Sequence, residues 1–524
     1  MTHDQALKSG STDELLLESK IEDLRNELDE MVKEEEYRDK EFSNPGLLVG
    51  LKAFIQDLRT KFGSLDDVYV WQALCGYWGG IRPGATKLDT KLVPAKSPPG
   101  LDQTMIDSAS VNLVKGCIGL VDPDQAKEFY DLMHSHLAKA GVTGVKMDVI
   151  NSLEFVSEGY GGQVELAKIY YQGLTQSIMK NFNGTGAISS MQQCNDFIFL
   201  GTQQISMGRA GDDFWVKDPH GDVMGSYWLQ GAHMVHCAYN SLWLGQVILP
   251  DWDMFRSDHV CSEFHAASRA ICGGPIYVSD PVGSTNFDLL RKLVFSDGTV
   301  PKCIHCALPT RDCLFKYPLS DSKTMLKIWN LNKFSGVIGA FNCQGAGWDP
   351  KEKTIRSYPN CYIPVSGRIH KQDIEWDQDD QTKELSNAKA YAVYLHKSNQ
   401  LLILENESLD GVHIDLKPSS FEILTFVPLM EINKKIKFAP VGLVNMFNSG
   451  GTVVNMEIRD SGACVKVKGE GELLVFSSER PWRCMLNGIE KEFDWHCDGR
   501  ATLQISWDDE RGGVSEVYFG YKNF

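Results

Sequence analysis

The sequence predicts an α/β fold: a (β/α)8-type barrel short of strands, followed by an antiparallel β-sandwich. Three observations carry that expectation. Between residues 47 and 379, strand-like apolar runs alternate with helical stretches, the pattern of a parallel sheet buried under helices. Nearly every run ends at a polar or acidic residue, Asp148, Gln192, Arg209, Asp251 or Asp280, and a barrel of this type carries its chemistry at the C-terminal ends of its strands. From about residue 380 the helical period stops, and short apolar runs are separated by Gly, Asn, Ser and Pro turns, as in a sandwich.

Taken in order, the chain opens on a charged segment. Residues 11–42 hold 13 acidic and 5 basic side chains, close to half of the net charge of −17. Within it Leu17, Ile21, Leu24, Leu28 and Met31 fall on one stripe of a helix, and Ser11 with Glu14 fits a capping box at its start. The stripe is too short for a coiled coil, so residues 1–46 are expected to form a charged helical segment resting on the main body. The barrel region supplies six runs, at 68–71, 144–150, 187–191, 204–207, 246–250 and 274–278, with helices near 125–140 and 163–180. Eight strands close such a barrel; two are not found. Residues 380–524 form the sandwich, whose expected role is support.

Composition narrows the function. The chain is acidic and lacks a basic stripe, which argues against a nucleic-acid partner. No run reaches the ~18 apolar residues of a membrane span, and the first residues lack the basic and apolar stretches of a signal peptide. A cytoplasmic protein without a membrane partner is the expectation, with its 14 cysteines as reduced thiols. The Cys303–Cys306 pair has C-x-x-C spacing but no second pair near it, and is read as structural. Phosphate-loop, dinucleotide and H-E-x-x-H signatures do not occur, so no cofactor or metal is expected.

Two acidic strand ends remain. Asp148 follows Lys146, and Asp212 and Asp213 follow Arg209. Cleaving a glycosidic bond needs one carboxylate at the anomeric carbon and one carboxyl to protonate the departing oxygen. Lys146 and Arg209 would tune those acids, and neighbouring acids repel, which raises one pKa toward that of a proton donor. Trp71, Trp78, Phe214, Trp215, Trp252 and Phe255 lie nearby in sequence. Flat rings suit the apolar faces of sugars, and Trp215, beside the acid pair, is taken as a sugar contact. On residue types alone, metal binding or salt bridging by these carboxylates remains an alternative.

Read as strings, the chain is more specific. Residues 144–149 (GVKMDV), 189–196 (SSMQQCND), 209–215 (RAGDDFW), 250–255 (PDWDMF) and 272–280 (CGGPIYVSD) occur in that order. Together they resemble the plant raffinose synthase, stachyose synthase and alkaline α-galactosidase group of glycoside hydrolase family 36, with the likeness running through 47–524. Within the group, the charged segment at 11–42 is similar to an insertion of the stachyose-forming members. The resemblance implies a retaining enzyme that moves α-galactose from galactinol to raffinose and releases myo-inositol. Transfer to sucrose and hydrolysis are the alternatives on the same machinery. It implies Asp148 as nucleophile and Asp212 as acid/base with Asp213 in reserve, and it places Lys146, Cys194, Arg209 and Asp251 around the galactose. Two strings of the group, WCTWD and DDGWQ on its first two barrel strands, do not occur here. The expectation is a barrel lacking those two strands, and a catalytically silent shortened chain is the competing reading.

Overall fold

The computed structural model describes residues 45–96, 116–219, 221–378, 380–405 and 411–522. The expected helix at 11–42 lies outside them. The first described element is the helix Pro45–Lys61.

Five strands, Tyr69–Ala73, Gly144–Asp148, Ala187–Ser189, Met207–Arg209 and Leu249–Asp251, form one parallel sheet in chain order. The helices Ala126–Lys139, Gln163–Asn181 and Gly225–Leu244 fall between them. The outward face is apolar: Val145 and Met147 pack with Phe129, Tyr130, Leu166 and Tyr170 from the first two of those helices. Side chains alternate along a strand, so Lys146 and Asp148 face the opposite way, into the sheet's inner side. The register carries this across the sheet. Met147 pairs with Ser189, Ser189 with Gly208, and Arg209 with Asp251. Asp148, Ser190, Arg209 and Asp251 therefore share one level and one face.

Two sequence expectations are corrected here. The run at 274–278 does not become a strand; its only pairing is the parallel bridge Phe255↔Val278. Gly273 ends the helix Ser262–Cys272 in a left-handed conformation (φ +76°), and Pro275 has no N–H to give a ladder. Among the described residues the parallel sheet thus has five strands rather than six. The second correction concerns the boundary at 379/380, which falls inside the antiparallel part. Strands Leu326–Asn332 and Ser335–Phe341 precede it, and the latter pairs with Phe421–Pro428 beyond it.

That antiparallel part is a stack rather than a single sandwich. A six-stranded sheet drawn from residues 308–428 has Leu308–Pro309 and Gln400–Glu405 at its edges, and two five-stranded sheets follow within residues 430–520. Phe438, Val465, Leu473, Val475, Leu503, Val517 and Phe519 fill the gap between the last two. Ala392, Tyr394, Val427, Val441 and Leu474 join the first to the second. The other face of the first sheet meets the parallel region: Phe341 lies edge-on to Phe264 of the helix Ser262–Cys272, with ring centroids 5.4 Å apart. No helix among the described residues is long and apolar enough to cross a membrane.

Candidate active site

The chemistry-bearing residues collect where the parallel strands end. Asp148, the last residue of its strand, has both oxygens engaged: Val149 N–H donates to Oδ1 (2.8 Å) and Trp71 Nε1–H to Oδ2 (2.8 Å). Trp71 is on the neighbouring strand, paired with Lys146, and so shares the face of Asp148. It stacks on Trp78 with centroids 6.0 Å apart. The chain then turns through Val149 at φ +55°, a conformation that a β-branched residue rarely adopts. Met191 and Asp253, just past two other strands, are also left-handed (φ +50° and +69°). Strain of this kind concentrates at functional sites.

Two strands away, Arg209 is 2% exposed and surrounded by carboxylates. Nη1–H donates to Asp213 Oδ1 (2.8 Å), Nη2 lies 2.7 Å from Asp253 Oδ1, and Nε lies 3.8 Å from Asp251 Oδ2. Burial works against its charge, but Asp253, Tyr277, Asp251 and Asp213 outweigh it and raise the guanidinium pKa above its ordinary value. Asp251 is itself shifted up, by burial first, with Arg209 opposing in part. Tyr277 O–H donates to Asp251 Oδ2 (2.7 Å), while Arg209 Nε and Nη2 are buried and meet Asp251 and Asp253 by charge alone.

The adjacent acids Asp212 and Asp213 point apart. Asp213 reaches back to Arg209, on the face that carries Asp148. Asp212 turns to the helix Gly225–Leu244, where its Oδ2 accepts from His236 Nδ1–H (3.1 Å). That hydrogen bond holds the Asp212 carboxyl below its ordinary pKa, although the side chain is 72% exposed. Asp213 is 65% exposed. Trp215 is half-exposed on the same loop. Lys146 lies one level below Asp148 on the same face and is half-buried. Cys194 is buried, packed in the cluster of Phe197, Tyr171 and Leu174, with its thiol pushed up to about 12 mainly by burial.

Sequence reasoning passed over Asp253, Tyr277 and His236. Asp253 could not be placed by strand alternation, because the strand ends at Asp251 and Asp253 is left-handed. Tyr277 and His236 come from distant elements, and nothing near them in sequence marks their partners. Beneath the ion cluster, Arg269 donates from Nη2 to His233 Nε2 (2.9 Å) and from Nη1 to His265 Nδ1 (2.8 Å). Burial and Arg269 together lower His233 to about 4 and hold His265 well below its ordinary value, so both imidazoles stand neutral as acceptors.

A family described as "Raffinose synthase or seed imbibition protein Sip1" matches residues 2–505. A stachyose synthase of Pisum sativum is 58% identical over 98% of this chain and 61% of its own length. A probable galactinol–sucrose galactosyltransferase 4 of Arabidopsis thaliana is 52% identical over 98% of this chain and 60% of its own. A galactinol–sucrose galactosyltransferase of Pisum sativum is 52% identical over 90% of this chain and 60% of its own. The chain spans about three-fifths of the length of these relatives. All five strings, and with them the carboxylates around Arg209, fall inside the matched span: the chain belongs to the raffinose synthase or seed imbibition protein Sip1 family.

Proposed function

We propose that this chain carries the galactosyl-handling centre of a retaining galactosyltransferase that moves α-galactose from galactinol to raffinose. The observation that carries the reading is the placement of Asp148 and Asp213. One ends its strand with both oxygens oriented; the other is tied to an arginine at the same level of the same face, two strands away. Two inter-strand spacings are ~10 Å of backbone, and side chains converging from such positions can reach the ~5–5.5 Å carboxyl separation of retaining enzymes.

In the first half-reaction an Asp148 oxygen attacks C1 of galactose as the bond from C1 to the inositol oxygen breaks. That oxygen takes a proton from the acid/base carboxyl. In the second half-reaction the resulting carboxylate removes the proton from a raffinose hydroxyl as its oxygen attacks C1, and Asp148 departs as carboxylate. Two observations favour Asp213 over Asp212 as that acid/base, reversing the order expected from the strings. Asp213 lies on the Asp148 side, whereas Asp212 faces a helix and its pKa is shifted in the wrong direction for a proton donor. Lys146 and Trp215 are the proposed sugar contacts. Arg209 and Asp251 act from behind, bound to each other and to Asp253. Raffinose is favoured over sucrose as acceptor by the 58% identity to the relative named for stachyose, against 52% for those named for sucrose.

The test is labelling with an activated 2-deoxy-2-fluoro-α-galactosyl donor followed by intact mass and peptide mapping. One galactosyl adduct on Asp148, absent in Asp148→Asn, is expected. An adduct elsewhere, or none, refutes the assignment. Galactose release from galactinol with and without raffinose then separates transfer from hydrolysis.

A further inference from the structure

The loop that carries Asp213 does not hang free; it is tied at three points along the helix Gly225–Leu244. Asn240 Nδ2–H donates to Ala210 O (2.7 Å), His236 Nδ1–H to Asp212 Oδ2 (3.1 Å), and Gln230 Nε2–H to Trp215 O (2.9 Å). Residues 240, 236 and 230 descend the helix as 210, 212 and 215 ascend the loop. Gly231 lets this helix lie against the chain just after the antiparallel strand Ser335–Phe341: a Cβ there would sit 2.6 Å from Cys343 O. The loop's other side is held by Phe214 N–H donating to Asp253 Oδ2 (2.7 Å), and Asp253 is the ion partner of Arg209. Of the three helix contacts, only the one at His236 grips a side chain of the acid pair itself.

We propose that His236 is a positioning residue: through Asp212 it fixes the rotation of the 210–215 loop, and so the aim of the Asp213 carboxyl. The proposal rests on the reading of Asp213 as acid/base given above. The arrangement gives the doubly acidic string a division of labour, one carboxylate anchored outward to the helix so that its neighbour is presented inward to the sugar. It also accounts for the lowered pKa of Asp212, which is of use to an anchor and not to a proton donor.

Its signature is selectivity for leaving group. A misaimed proton donor slows departure of a poor leaving group such as an inositol alkoxide, but not of fluoride, which leaves without protonation. In the full chain, His236→Ala is expected to lower kcat on galactinol about tenfold, a part of the general-acid contribution. KM for galactinol and the pre-steady-state burst of fluoride release from α-galactosyl fluoride, which reports the first half-reaction alone, should stay within about twofold. His236→Asn, which keeps a donor near the Nδ1 position, should restore kcat to within about threefold. Hydrogen exchange read by mass spectrometry provides an arm independent of turnover: amides of 210–216 should exchange about five- to tenfold faster in His236→Ala, with other segments unmoved. Equal loss on both substrates, no loss on galactinol, or unchanged exchange at 210–216 overturns the proposal. Absence of α-galactosyl fluoride turnover by the unaltered chain instead refutes the reading of the site, and the exchange arm still decides the clasp.

Discussion

Replacing Arg209 by Met separates two kinds of ion pair made by one side chain. On the inner side Arg209 faces Asp253, which is fully buried, and Asp251, 1% exposed; on the outer side it meets Asp213, 65% exposed. Removing the cation leaves two buried carboxylates facing one another. They retain neutral donors, Phe214 N–H and Met254 N–H on Asp253, Tyr277 O–H and Asp253 N–H on Asp251, but no positive charge is left beside them. Breaking a buried pair from one side costs ~3–5 kcal/mol. Asp213→Asn removes only the exposed arm, worth ~0–1 kcal/mol. The pH dependence has a definite sign. Asp251 already has a raised pKa, and losing Arg209 raises it further. Between the unfolded carboxylate value near ~3.9 and that raised folded value, the native state holds a proton the unfolded chain has released, so stability falls as pH rises. The Arg209→Met deficit should therefore be full at pH 7 and shrink toward pH 4. Urea unfolding of the chain and the two variants at both pH values measures it. A loss below ~1 kcal/mol for Arg209→Met, or a deficit that does not change with pH, refutes the reasoning.

Two further outcomes are expected. Trp71→Phe removes the indole donor to Asp148 Oδ2 but keeps a ring against Trp78; a hydrogen bond to a charged group is worth ~1.5–3 kcal/mol, so kcat/KM on an activated α-galactoside should fall ~10–100-fold with the unfolding midpoint little changed. All 14 cysteines are free, and only Cys117 and Cys497 are exposed, while burial pushes Cys75 up to about 12; a thiol reagent on the native chain should label those two rapidly, Cys306 and Cys361 slowly, and the rest only on unfolding, as followed by peptide mapping.

The parallel part of the fold was legible because its strands, buried under helices, read as short apolar runs with a polar terminus. The helices near 125–140 and 163–180 appear within two residues of their expected ends. The onset of the antiparallel part was misplaced for a physical reason. Strands Leu326–Asn332 and Ser335–Phe341 are buried along their whole length, with Val337 and Phe341 facing the helices and Ile338 and Ala340 facing the opposite core. A strand covered on both faces loses the polar–apolar alternation that marks an antiparallel edge. At the site, Asp148 could be read from its place at a strand end, since Lys146 and Asp148 lie two residues apart on one side. The division between Asp212 and Asp213 could not: which way each of two adjacent acids turns depends on Arg209 and on His236, 24 residues further along the chain.

The helix Ser262–Cys272 has one apolar side against the strand-bearing core and the other against the first antiparallel sheet, where Phe264 meets Phe341 and Ile271 lies over Gly339. The C-terminal layers are therefore not a detachable accessory. Cutting the polypeptide near residue 380 would strip Phe421–Pro428 from its partner Ser335–Phe341 and expose apolar surface down to that helix, which carries the Arg269 that steadies His233 beneath the ion cluster. The two regions should melt as one cooperative unit, and a protease should find no seam between them.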